Sequence, residues 1–184
     1  MALSIHQKSV KTSAKILIGE FDSILWIRVE GRGTFQISPP IKDLVEKEMS
    51  SGRSQFVIDL QDCPGMDSTF MGMMAGIGMR LRKRGSGQLS IVGTSEKSRD
   101  SLEELGLSYL MEIEPGEGPW MDHIEEIRKS LCPLGEGAVS GKEEHILECH
   151  ENLCDADDSN TERFKTVLEV MGSDKVKVTG ETSD

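Results

Sequence analysis

The stretch from Phe56 to Gly87, FVIDLQDCPGMDSTFMGMMAGIGMRLRKRGSG, decides how the rest of the chain is read. Phe56-Val57-Ile58-Asp59-Leu60 is a short apolar run of strand type, and Pro64-Gly65 marks a turn behind it. Asp67 or Ser68 then supplies a helix N-cap, whose side-chain oxygen accepts a backbone N–H of the first turn. The helix closes on Arg80, Arg82, Lys83 and Arg84, where positive charge suits a C-terminus, and Gly85 ends it. Phe70, Met73, Met74, Ile77 and Leu81 follow helical spacing and face a core. Met71, Ala75 and Met79 draw a second apolar line at i, i+4 and i+8. Gly72, Gly76 and Gly78 each weaken the helix by about 1 kcal/mol relative to alanine and let another surface come close. A helix apolar on all sides is covered by a second layer of its own protein or docks on another.

Outward from this unit, strands and helices alternate. Lys15–Ile18 and Leu25–Glu30 read as a strand pair, the second with Leu25, Ile27 and Val29 on one face and Trp26, Arg28 and Glu30 on the other. Trp26 reads as packing, and Gly31-Arg32-Gly33-Thr34 as a turn. Ser38-Pro39-Pro40 opens a helix, with Ser38 as cap and Ile41, Leu44, Val45 and Met49 on one face. Leu89–Val92 is a buried strand, a helix capped at Thr94 or Ser95 ends at Leu105-Gly106, and Tyr109–Ile113 is a last strand. A helix is expected over Trp120–Leu131. Such alternation predicts an α/β fold with a mixed or parallel sheet of about four to five strands packed with helices.

The organising segment resembles the STAS domain of bacterial anti-sigma factor antagonists. That family carries an apolar strand ending in Asp-Leu, a short turn, and Asp-Ser-Ser/Thr-Gly opening a helix that closes on basic residues and Gly. Here these stand as Val57-Ile58-Asp59-Leu60, Asp67-Ser68-Thr69 and Arg80–Gly85, and Leu89–Gly93 and Ser101–Leu107 are similar to the family's next strand and helix. The resemblance covers roughly the first two-thirds of the chain. It implies a cytoplasmic, non-enzymatic regulator of bacterial transcription that binds an anti-sigma factor which is itself a serine kinase. That kinase phosphorylates Ser68, and a phosphatase reverses the step. The implied partner surface comprises Asp67, Ser68, Thr69, Met71, Gly72, Ala75 and Met79. One departure stands out: Phe70 occupies the place of the family's Gly, and its ring would bear on how closely a kinase approaches Ser68.

The physical logic of such a switch is direct. A serine at a helix N-terminus is expected to be exposed. A phosphoryl group adds close to two negative charges beside the positive helix end, so the helix tolerates it and the partner does not. Two other STAS-like readings remain open: a small-ligand or nucleotide sensor, and a constitutive scaffold subunit of an assembly such as a lipid-transport complex.

Composition narrows the field. A net charge of −11 and a pI near 4.9 argue against nucleic acid or an anionic membrane surface as partner. No apolar run reaches the roughly 18 residues needed to span a bilayer, and MALSIHQKSVKTSAKILIGEF does not read as a signal peptide. Four cysteines without framework spacing suit a reducing compartment. There is no P-loop, no nucleophile elbow and no carboxylate pair around a cleft, so no cofactor or catalytic residue is expected. Asp59 and Asp67, which could pass for magnesium ligands, read as a strand-end residue and a cap.

The domain boundary is expected at residue 131, with 1–131 as the STAS-like domain, residues 1 to about 14 frayed, and 132–184 as linker and acidic helical tail. From Glu136 onward the chain has 13 acidic and 5 basic residues, so the tail holds most of the net negative charge. Cys132–Gly141 reads as linker, Lys142–Cys154 and Thr161–Met171 as amphipathic helices, and Gly172–Asp184 as disordered. The two helices form an αα-hairpin or pack separately on the main domain or a partner; their apolar stripes also suit a cover over the Met-rich face. His145, Cys149, His150 and Cys154 fall in two i, i+4 pairs, but adjacent Cys149 and His150 point about 100° apart, so four ligands on one straight helix cannot close a tetrahedron. They read as helix surface and core, with no metal expected.

Overall fold

The computed structural model describes residues 14–135 and 142–178, with residue 142 and residues 173–178 described by backbone alone. The expectations for residues 1–13, 136–141 and 179–184 lie outside the described residues. A six-stranded mixed sheet has the order β5-β4-β3-β2-β1-β6. β1 (Lys15–Phe21) and β2 (Ile24–Glu30) form an antiparallel hairpin, closed by a two-residue turn in which Asp22 adopts φ 53°. β3 (Gln55–Asp62), β4 (Gln88–Val92) and β5 (Glu112–Ile113) then run parallel to β2. Parallel neighbours need crossovers, and α1 (Ser38–Ser50), α2 (Ser68–Lys83) and α3 (Glu96–Glu104) supply them.

Period-two alternation divides β2 between two cores, as the sequence predicts. Leu25, Ile27 and Val29 join Phe56, Ile58, Ile41, Val45, Phe70, Met73, Met74, Ile77 and Leu81 under the crossover helices. Ile24 and Trp26 face the other way, with Val57, Val92, Trp120 and Ile127. That second face is closed by α4 (Ile124–Ser130), which follows a short 3-10 turn, Met121–His123, in place of the single longer helix expected. The segment read as the strand Tyr109–Ile113 is a 3-10 turn, Leu107–Tyr109, followed by the two-residue β5.

Three further differences concern the start of α1, the Cys132-Pro133 segment and Gly172. Ser38 lies inside α1 instead of capping it: the cap position is Ile37, without a side-chain cap bond, while Pro39 and Pro40 occupy a first turn where no N–H is needed. Cys132-Pro133, read as linker, forms β6 and pairs with Leu17 and Ile18 of β1, an edge position that tolerates proline. After α5 (Lys142–Ala156), helix α6 (Ser159–Val178) runs through Gly172, where disorder was expected. α5 and α6 form the helical hairpin, and α5 packs along α2; Cys149, Leu153 and Ala156 enter the main core.

Candidate functional site

The site lies where β3 ends and α2 begins. Gly33, in the turn after β2, donates to the Gly65 carbonyl at 3.0 Å and accepts from Asp67 N at 2.9 Å, which ties the turns after β2 and β3 together. The Asp67 carboxylate completes the join. One oxygen caps α2 by accepting from Phe70 N at 2.9 Å, and the other accepts from Phe35 N at 2.9 Å. Asp67 is thus the N-cap, and Ser68 is the first residue of the helix.

Phe70 is turned wholly inward, with 0% exposure. Its ring packs over Gly33, where a Cβ would stand 3.0 Å from the ring carbons. The residue that replaces the expected Gly is therefore a core side chain.

Ser68 itself is half-buried, against the expectation of an exposed hydroxyl. Its Oγ lies 2.9 Å from Nε2 of His150 on α5. His150 Nδ1 lies 2.8 Å from the Ile146 carbonyl. A carbonyl only accepts, so Nδ1 carries the proton in the neutral ring and Nε2 accepts from the Ser68 hydroxyl. Phe164 of α6 sets its ring edge-on to His150 at 5.1 Å.

The rest of the anticipated partner face is also covered. Thr69, Gly72 and Ala75 are buried, and Met71 and Met79 are partly so. A Cβ on Gly72 would overlap the Cys149 carbonyl, and one on Gly76 would overlap the Asn152 amide. The two glycines let the helix backbones approach, while Gly78 gives the same room to the Leu110 carbonyl on another side of α2. Asn152 Nδ2 donates to the Gly72 carbonyl at 3.3 Å.

Polar contacts seam the hairpin to the domain along its length. His145 Nε2 lies 2.8 Å from Ser38 Oγ. Glu148 joins Lys42 of α1 to Arg80 of α2, the latter at 2.6 Å. Burial pushes the Glu148 carboxyl up, but the hydrogen bonds and charges of Lys42 and Arg80 outweigh it and hold the group below its ordinary range. Burial, helped by the charge of Lys42, keeps His145 below its ordinary value. Cys149 is pushed up to about 12, chiefly by burial, so it stays an unreactive thiol. Tyr109 Oη donates to the Ala156 carbonyl at 2.9 Å, and Asn160 Nδ2 donates to Leu105 O at 3.0 Å.

Sequence reading placed His145 and His150 on helix surface or core and missed their serine partners. Among the described residues, no group of three or more His, Cys, Asp or Glu side chains is placed to hold a metal ion. Asp59, read as a strand-end residue, is fully buried and receives Trp26 Nε1 at 3.3 Å, Arg28 at 3.3 Å and a two-pronged contact from Arg128. Among the described residues, no helix is long and apolar enough to cross a membrane.

Comparison with known proteins agrees with this architecture. Among solved structures, a candidate anti-sigma factor antagonist from Thermotoga maritima is 20% identical, with a TM-score of 0.50, over 60% of this chain and 92% of its own. An anti-sigma factor antagonist from Mycobacterium paratuberculosis is 17% identical, with a TM-score of 0.49, over 63% of this chain and 95% of its own. The Bacillus cell fate determinant SpoIIAA in its phosphorylated form is 18% identical, with a TM-score of 0.47, over 61% of this chain and 99% of its own. At 20% identity the likeness to the Thermotoga maritima protein concerns the fold. No curated protein sequence matches. The family model of the STAS domain matches residues 15–118, more than half of the chain and the whole run from β1 past β5, so the protein belongs to the STAS domain family.

Proposed function

We propose that this STAS protein is an anti-sigma factor antagonist that binds an anti-sigma serine kinase and is switched by phosphorylation of Ser68. The observation that carries the reading is the placement of Ser68. It is the first residue of α2, held beside an Asp67 cap that is itself fixed from two loops, at the end of a parallel strand. With Phe70 drawn into the core, the hydroxyl is the reactive group of that turn. A phosphoryl group there meets the positive end of a 16-residue helix, so the fold accommodates the charge. It also removes the hydroxyl proton that Ser68 gives to His150 and places a dianion beside Asp67, which changes the surface offered to a partner. Thr69 is the poorer acceptor because it is buried. Asp67, Ser68, Met71, Gly72, Ala75 and Met79 form the partner surface when α5 is away from it.

The test is intact-mass spectrometry of the protein purified from its own cells, with and without phosphatase. The expected result is one phosphatase-sensitive phosphate, mapped to Ser68. An unmodified Ser68 under every growth condition sampled would remove the switch.

A further inference from the structure

The hairpin α5–α6 lies beyond residues 15–118, the part of the chain that the family model matches. It is an addition to the domain, and it sits on the helix that carries Ser68. Its seam differs from a permanent core. His145, His150 and Asn160 are buried polar side chains of the hairpin, and Ser38 is buried on the receiving side. Glu148 sits between two cations that belong to the domain. Each of these groups forgoes water for one or two directed bonds, so the net gain per contact is small. Such a polar seam resembles an interface between molecules more than the interior of one. The surface beneath it sets Ser38, Lys42, Ser68 and Arg80 around a strip floored by Gly72 and Gly76 and lined by Met71, Ala75 and Met79, a mixed face of the kind that partners cover.

We propose that this strip of α2 is a helix-docking groove, that α5 occupies it in cis as a built-in competitor, and that a partner's amphipathic helix binds by taking the place of α5. The proposal rests on the partner reading above and specifies its chemistry. α5 displays what the groove accepts: an acidic side chain between Lys42 and Arg80 (Glu148), a close backbone approach over Gly72 (Cys149), a hydrogen-bonding group at Ser68 (His150), an amide reaching the Gly72 carbonyl (Asn152), and a leucine entering the core (Leu153). Glu46 of α1 also contacts Lys42 and Arg80, which leaves one positive charge in excess among the three, and that excess selects an acidic helix over a basic one. While α5 is docked, His150 engages the Ser68 hydroxyl, so modification of Ser68 is confined to the open chain.

The experiment uses the full-length chain and a fluorescein-labelled synthetic peptide of residues 142–171, read by fluorescence anisotropy under reducing conditions. Glu148→Lys in the protein sets a third cation against Lys42 and Arg80 and releases α5 while leaving the groove itself unchanged. His150→Ala/Asn152→Ala loosens α5 without altering charge. Both variants are expected to bind the peptide at least about tenfold more tightly than wild type, because a competitor in cis lowers apparent affinity by the fraction of chains that are closed. Adding Gly72→Leu to Glu148→Lys fills the groove floor and is expected to abolish binding. Equal affinity for wild type and both opened variants overturns the proposal, as does absence of binding to all of them. The peptide needs no kinase. An unphosphorylated Ser68 together with peptide binding would therefore remove the switch and leave the groove, and the reverse pair of results would do the opposite.

Discussion

Ser68 and His150 stand 82 residues apart in the chain, yet the hydroxyl of one meets Nε2 of the other at 2.9 Å. The contact ties the first residue of α2 to the middle of α5. His150→Ala removes two hydrogen bonds, of which the one to Ser68 crosses the seam and the one to the Ile146 carbonyl lies within α5, and the edge-on contact with Phe164; docking loses about 1 kcal/mol. Amide hydrogen exchange in α5 should speed up by about fivefold, with β3 and β4 unaffected. Unchanged protection of α5 would show that the bond contributes nothing to closure.

On the opposite face of the sheet Arg128 pairs with the buried Asp59. Arg128 Nε lies 2.7 Å from one carboxylate oxygen and Nη2 3.0 Å from the other, in a two-pronged pairing. The hydrogen bond to Asp59 raises the Arg128 pKa in spite of partial burial. Arg128→Leu leaves a fully buried carboxylate with a single cation, Arg28, beside the N–H donors of Trp26 and the Gln61 backbone. The expected loss is about 3 kcal/mol of global stability, measured by urea unfolding at neutral pH.

Asp67 is expected to act through its shape as much as its charge. Asp67→Ala deletes both the α2 cap and the anchor for Phe35, at a cost of about 1–2 kcal/mol. Asp67→Asn keeps a capping oxygen and should recover more than half of that loss in thermal unfolding. An equal effect of both substitutions would point to charge alone.

Acid should loosen the hairpin before it unfolds the domain. His145 faces Ser38 and Lys42 from α1 and Cys149 and Glu148 from α5, with Asp43 near by. Its folded pKa lies below the ordinary 6.5, so below that value the undocked state binds more protons than the docked one. Docking is therefore at full strength above 6.5 and weakens as pH falls toward the depressed folded value. Protection factors in α5 should drop as pH falls below about 6.5, and His145→Gln should flatten that dependence.

Local signals carried most of this fold into the sequence. The apolar run Val57-Ile58, a cap at Asp67 or Ser68 and the basic end of α2 each act within one turn or strand, so period and capping chemistry were enough to read them, and the structure selects Asp67. Gly72, Gly76 and Gly78 were legible as room for a neighbour, but helical periodicity names a face and not what covers it. Ser38 meets His145 across 107 residues, and Asp59 meets Arg128 across 69. No local pattern encodes pairings of that length. Cys132-Pro133 was misread for a different reason: proline marks a loop by rule, whereas an edge strand can leave its missing N–H toward solvent.

The rims of the sheet have a consequence for how the protein behaves in a crowded cell. β5 and β6, the outermost strands, are two residues each, and one of them contains a proline. β5 and β6 themselves give an invading strand almost no ladder to extend, and each interrupts the longer edge of the strand behind it, β4 and β1, which breaks up the template for the edge-to-edge stacking that seeds aggregates.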